Sequence, residues 1–204
     1  KTAYEITYGD WSSDVCSSDL DGTVQRACQR FPSLLSALCF DSWWGTWWPG
    51  SWVQRRYLMT DFDHLASRDV PQPPGAVFVM RRAEWEKYGG LDEALSLFFN
   101  DVDLSRRLWR DGRKVRYLVD AVVMHHRGAS TKNFAKMLVL WHKNRMAYYR
   151  KHHGAWSVAW LRVCIWLRIC EERIKIRRRC KGDPARRAAE LSYLQAQVQQ
   201  LRAS

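Results

Sequence analysis

The sequence predicts an α/β domain, and three observations carry that prediction. Apolar residues make up 47% of the chain and aromatics 13%, enough apolar surface to offset backbone ordering, which excludes the disordered class. The middle of the chain alternates short runs of β-branched and aromatic residues with helical patterns, in the order strand, helix, loop, helix, strand. At 204 residues there is room for one domain of ordinary size plus a tail, and not for two full domains.

The elements follow in order. Residues 1–20, KTAYEITYGDWSSDVCSSDL, have no apolar periodicity and none of the regions of a signal peptide. The run resembles the in-frame translation of a sequencing adapter, so it is expected to be disordered and to lie outside the fold. From Asp21, a polar turn leads to Pro32 and then to Leu34, Leu35 and Leu38 at helical spacing. DSWWGTWWPGSW follows, and five tryptophans with Gly and Pro predict a loop that exposes or loosely packs aromatic surface, either a cap over the core or a face for sugar or membrane. RDVPQPPG is expected to stay extended.

GAVFVMRR predicts a short buried strand, and RRAEWEKYGG a helix of two turns stopped by Gly89 and Gly90, one of them left-handed. Asn100 is placed to cap a helix with Leu104 and Leu108 on its inner face and Gly112 as its stop. KVRYLVDAVVMHH predicts a returning strand with His125 and His126 at its end.

Two clusters could carry chemistry. Asp101 and Asp103 sit at a helix N-terminus, where the dipole favours ionised carboxylates. Asp101 could project to a cleft while Asp103 caps, although two acids that merely complement the dipole would look the same. His125 and His126 are neighbours on a strand, so only one of them can face a given site. DFD at residues 61–63 reads as a loop feature. The six cysteines form no C-x-x-C pair and read as reduced thiols.

The order of these pieces carries more than any one of them. Gly75 and Ala76, Gly89 to Glu93, Phe99 to Leu104 and His125 to Ser130 occur in a series that resembles the second half of family 2 glycosyltransferases, especially their rhamnosyltransferase-like branch. The likeness runs from about Asp21 to Gly154, with Leu91 in a Phe place and Asn100 where the family has Glu. The resemblance implies a partial GT-A (Rossmann-like) catalytic domain lacking its N-terminal nucleotide-binding half, over residues 21–153. It implies inverting transfer from a nucleotide sugar, dTDP-rhamnose among the candidates, to a glycan or lipid-linked acceptor in cell-envelope polysaccharide synthesis.

In that reading Asp101 is the general base. Gly75, Ala76, Asn100, Asp103 and Trp109 contact donor or acceptor, and His125 or His126 serves a Mg²⁺ or Mn²⁺ cofactor at the leaving diphosphate. A neutral Asn100 should lower the pKa of Asp101 relative to a Glu neighbour. Without a nucleotide half, the chain alone is expected neither to bind nucleotide sugar tightly nor to turn over. The expected location is cytoplasmic, peripheral on the inner face of the plasma membrane.

The formal charge is +12, and leaving out residues 1–20 removes one Lys and four acids to give +15. From Arg145 to the end, 14 Lys or Arg stand against 4 acids, so the basic excess sits in the last third. Ser130 or Thr131 is placed to cap a helix striped by Phe134, Leu138, Trp141 and Tyr148. Residues 154–204 predict a basic amphipathic helical tail with Trp156, Trp160, Val163, Leu167, Cys170 and Ile174 on one face, suited to an anionic membrane surface or to docking on the domain. A last helix starts at Asp183 and Pro184, with Leu191, Leu194, Val198 and Leu201 at heptad spacing. Two other classes stay open: a basic module for membrane or nucleic acid without catalysis, and a metal-dependent hydrolase. The order of motifs disfavours both, and nucleic acid is not the expected partner.

Overall fold

The computed structural model describes residues 11–18, 24, 26–73, 75, 77–124 and 134–203. They form an α/β chain in two compact units: Lys1–Phe31, Arg56–Glu93 and Asn100–Ser130 in the first; Pro32–Arg55, Ala94–Phe99 and Thr131–Ser204 in the second.

Unit 1 holds the sheet. Its strands are β1 (Trp11–Ser18), β2 (Arg68–Asp69), β3 (Phe78–Met80) and β4 (Lys114–Met124), in the order β2-β4-β1-β3. β1 runs parallel to β4 and antiparallel to β3, and β2 is antiparallel to β4. The expectation of disorder over residues 1–20 therefore fails at 11–18, where a polar, serine-rich segment becomes an inner strand. Main-chain pairing explains it, because the open edges of β3 and β4 present N–H and C=O groups that any extended segment can satisfy. The register between β1 and β4 shifts between Val15 and Cys16, from the Val15–Leu118 pair to the Cys16–Val122 pair. The strand predicted from GAVFVMRR is shorter than expected, only Phe78–Met80.

Two helices pack with that sheet. α4 (Arg82–Tyr88) ends as its sequence requires: Gly89 is left-handed at φ 67°, and Gly90 N–H returns to the Trp85 carbonyl at 2.9 Å. α5 (Asn100–Arg110) buries Val102, Leu104 and Leu108, and Leu104 and Leu108 pack with Val115 of β4 among Phe78, Met80, Tyr88 and Trp109. A second cluster joins Cys28, Met59, Phe62, Val70 and Tyr117.

Unit 2 is helical. α1 (Leu34–Phe40) starts at a capping box in which Ser33 and Ser36 exchange hydrogen bonds with each other's backbone N–H. The tryptophan-rich segment corrects the loop expectation, for it folds into α2 (Trp43–Trp47) and the start of α3 (Trp52–Tyr57). Ser42 caps α2 by accepting from Trp44 N–H at 3.3 Å, and the Trp43 and Trp47 rings, one turn apart, meet edge-on with centroids 6.0 Å apart. Trp43, Trp47, Trp48 and Trp52 remain exposed, as the sequence suggested.

α6 (Phe134–His153), α7 (Trp156–Arg179) and α8 (Pro184–Ala203) complete the unit. The helices past Gly154 do not stand apart as a tail. Trp160 Nε1 donates to Leu34 O at 3.0 Å and Tyr149 Oη donates to Ser33 O at 2.9 Å, while a His153 ring nitrogen lies 3.1 Å from Pro32 O. Arg145 pairs with Asp41 at the C-cap of α1 and stacks over Trp141 and Tyr149 at 5.0 and 5.6 Å. Asp183 starts α8 by accepting from Arg186 N–H at 2.9 Å. No disulfide joins the described cysteines, as reduced thiols require.

Candidate active site

The start of α5 brings three of the expected residues together. Asn100 is the first residue of the helix rather than its cap, and Phe99 before it takes a left-handed φ of 66°. Asn100 Oδ1 accepts from Asp101 N–H at 2.8 Å, and Asp101 Oδ1 accepts from Val102 N–H at 2.8 Å. The bond from Val102 N–H and the helix N-terminus hold the carboxylate in one orientation.

Gly75 lies directly against that carboxylate. Its φ is +68°, and a Cβ there would come within 3.1 Å of Asp101 Cγ and 3.2 Å of its Cβ, closer still to Oδ2. Both the backbone conformation and the contact therefore call for glycine. Burial raises the pKa of Asp101, opposed by the N–H groups of Val102 and of Asp101 itself. The neutral Asn100 adds no second charge, so desolvation alone sets the upward direction. A half-buried carboxylate held beside bare main chain, with a pKa above the ordinary range, can take a proton from a hydroxyl brought to it.

Two expected contacts sit elsewhere. Asp103 is fully buried and pairs with Arg107 at 2.8 Å, so it does not face a ligand beside Asp101. Arg107 also donates to the carbonyls of Tyr88 and, at 2.6 Å, Gly90, which fastens α5 to the end of α4. The reason is helical geometry: residues two apart point to different sides, so Asp101 and Asp103 cannot share a face. Trp109 is likewise committed to packing, edge-on to Phe31 at 6.2 Å and with Lys114 Nζ 3.9 Å over its ring. Ala76, His125 and His126 lie outside the described residues.

Arg107 is the residue that sequence reasoning missed, although its spacing from Asp103 is the signal for an i,i+4 pair. His64 is a second, and nothing in YLMTDFDH announces it. It is buried at φ 66°, its Nε2 accepts from Cys28 N–H at 3.1 Å, and its Nδ1 lies 3.0 Å from Phe62 O. Accepting at Nε2 fixes the neutral tautomer with the proton on Nδ1, and burial lowers its pKa. Asp61 and Asp63 sit in the preceding turn, engaged by Arg68 at 3.4 Å and by Leu65 N–H at 2.9 Å. Among the described residues, no three His, Cys, Asp or Glu side chains gather as a cation site.

A carboxylate on the first turn of a helix, set against a glycine that precedes a strand, fits a transferase site. The chain belongs to the glycosyltransferase-like family 2, whose model matches residues 22–157. It is similar to the N-acetylglucosaminyl-diphospho-decaprenol L-rhamnosyltransferase of Mycobacterium tuberculosis, in the sequences of two strains, at 30% identity over 145 residues. That stretch is 71% of this chain and 47% of the relative, so the chain spans about half the length of the curated relatives it matches. No solved structure matches it.

Proposed function

We propose that this chain carries the acceptor-activating part of an inverting glycosyltransferase, with Asp101 as general base. The observation that carries the reading is the placement of Asp101, whose carboxylate accepts from Val102 N–H and is pressed against Gly75. A sugar hydroxyl is a weak nucleophile until its proton is removed. Asp101 takes that proton as the oxygen attacks the anomeric carbon of a nucleotide sugar, and one base on the attacking face suffices for a single displacement with inversion. Desolvation serves this role, because it raises the basicity of the Asp101 carboxylate.

The donor class follows from the family, and a lipid-linked glycan acceptor in cell-envelope synthesis is supported by the decaprenol-linked acceptor in the relative's name. Rhamnose is the sugar that the same likeness favours. Divalent cations are common in this family and neutralise a leaving diphosphate. The described residues alone do not make such a site, and His125 and His126 are the first candidates to complete one.

Because the matched relatives are about twice as long, transfer is best assayed with residues 22–204 fused behind the N-terminal half of the mycobacterial relative. Asp101→Asn should lower kcat about 10²- to 10⁴-fold with KM little changed. Full activity of the Asn variant would remove Asp101 from the chemistry. Hydrolysis of glycosides or phosphodiesters without a nucleotide sugar would favour a hydrolase instead.

A further inference from the structure

We propose that the outward face of α7 docks flat on an anionic lipid bilayer, with tryptophans at headgroup depth and arginines against lipid phosphates. The inference is independent of the catalytic reading and rests on unit 2 alone.

α7 carries apolar side chains on both of its faces, unlike a soluble amphipathic helix. Its buried face carries Ser157, Val158, Leu161, Cys164, Glu171 and Ile176, two of them polar. Its open face carries Trp156, Val163, Trp166 and Ile174, which are 60, 48, 58 and 50% exposed. At about 100° per residue these four fall within one arc, opposite the buried residues. Exposed Arg162, Arg173 and Arg177 stand in the same arc. From Trp156 to Arg177 this strip is about 30 Å long at the helical rise.

Charge decides what covers it. The carboxylates of α7 and α8 are already engaged: Glu171 by Lys175 at 2.6 Å and Arg168 at 3.1 Å, Glu172 by Arg168 at 3.2 Å and Lys175 at 3.3 Å, and Glu190 by Arg179 and by Arg186 at 3.0 Å. The arginines of the open face therefore meet the surroundings unneutralised. A second copy would bring like charges together, which disfavours self-association through this face. A nucleic acid would use the arginines but offers nothing to Val163 and Ile174. An anionic bilayer serves both, since aliphatic and indole groups enter the acyl boundary while guanidiniums stay with phosphate. No described helix is long and apolar enough to cross a membrane, so this contact is superficial.

The same unit exposes a second tryptophan group. Trp47, Trp48 and Trp52 are 69, 63 and 61% exposed on α2, the turn that follows it and the start of α3. α7 holds that region through Arg168 Nη1, which donates to Thr46 Oγ1 at 2.9 Å. Exposed indoles on several elements of one unit exceed what a monomer normally leaves in water.

Co-sedimentation of the full 204-residue chain with vesicles tests this. Binding to mixed phosphatidylcholine–phosphatidylglycerol vesicles should far exceed binding to phosphatidylcholine alone and should weaken with salt. Combining Arg162→Gln, Arg173→Gln and Arg177→Gln should lower partitioning on the order of 10²-fold, about fivefold for each charge. Trp156→Ser with Trp166→Ser should lower it further. Because all five side chains are exposed, the circular dichroism spectrum should not change. A charge-matched control in unit 1, Arg81→Gln with Lys87→Gln and Arg110→Gln, should bind nearly as the parent does. Equal losses in the two triples would overturn the proposal, as would equal binding to neutral vesicles. So would absence of vesicle binding together with a dimer or a DNA complex that the Trp156 and Trp166 changes abolish.

Discussion

α5 and α7 are built from the same kind of sequence, apolar residues at helical spacing with charges between them, yet they use it in opposite senses. In unit 1, α5 turns Leu104 and Leu108 inward and buries one ion pair, Asp103 with Arg107, as the clamp to α4. In unit 2, α7 buries Ser157 and Glu171 beside Val158, Leu161, Cys164 and Ile176 and leaves Trp156 and Trp166 outside. A helical pattern thus says that a helix has two faces, while the neighbours decide which face is the inside. α5 has a sheet to cover. α7 packs through hydrogen bonds such as Trp160 to Leu34 and leaves an apolar strip exposed.

The sharpest test of that contrast lies at the two carboxylates of α5. Asp101→Asn should cost the reaction its base, the 10²- to 10⁴-fold loss in kcat already given, while leaving thermal unfolding at neutral pH unchanged or slightly raised. The sign follows from the raised pKa. Folding disfavours the ionised Asp101, so stability declines as pH rises from the unfolded-state value toward the folded one, and the Asn variant should lack that decline. The base must be ionised to act, so kcat should fall as pH drops through a value above the ordinary carboxylate range. An acid limb at the ordinary value would contradict the desolvated site.

Arg107→Met should do the reverse and destabilise by roughly 3–5 kcal/mol, because it leaves the buried Asp103 without its partner. Denaturant unfolding measures it, and a loss under about 1 kcal/mol would show that the clamp is dispensable. Leu108→Ala should cost about 2–5 kcal/mol as a buried truncation. Gly75→Ala should be smaller, about 1–3 kcal/mol, from the left-handed backbone and the contact with Asp101. It should also slow transfer by displacing the base. Trp166→Ser, on the open face of α7, should change stability by no more than about 0.5 kcal/mol. A large loss there would mean that the face is covered within the chain, which breaks the comparison.

Unit 2 has its own pH signature. His142 is pushed down to about 4, chiefly by burial and then by the Arg145 charge. The unfolded chain therefore binds a proton first as pH falls below about 6.5, and stability should drop between there and about 4. His142→Gln should flatten that limb in a melting series. His64, lowered by burial in unit 1, acts in the same direction.

Local chemistry was legible where residues act on their own backbone. The Gly89–Gly90 stop, the helix carrying Leu104 and Leu108, the strand from Lys114 and the Asp183 start of α8 follow from rules spanning a few residues. Asp101 was singled out by the family resemblance, since a carboxylate at a helix start also serves the helix dipole. What the sequence did not reveal depended on distant partners. Residues 11–18 are a strand because two edges were open to pairing, and Asp103 is structural because Arg107 reaches back to α4. Sequence by itself determined which segments are amphipathic and where helices stop, since those depend on bonds spanning about one helical turn. Only the tertiary structure decided which face of each helix meets protein, because burial belongs to pairs of elements that the chain order does not name.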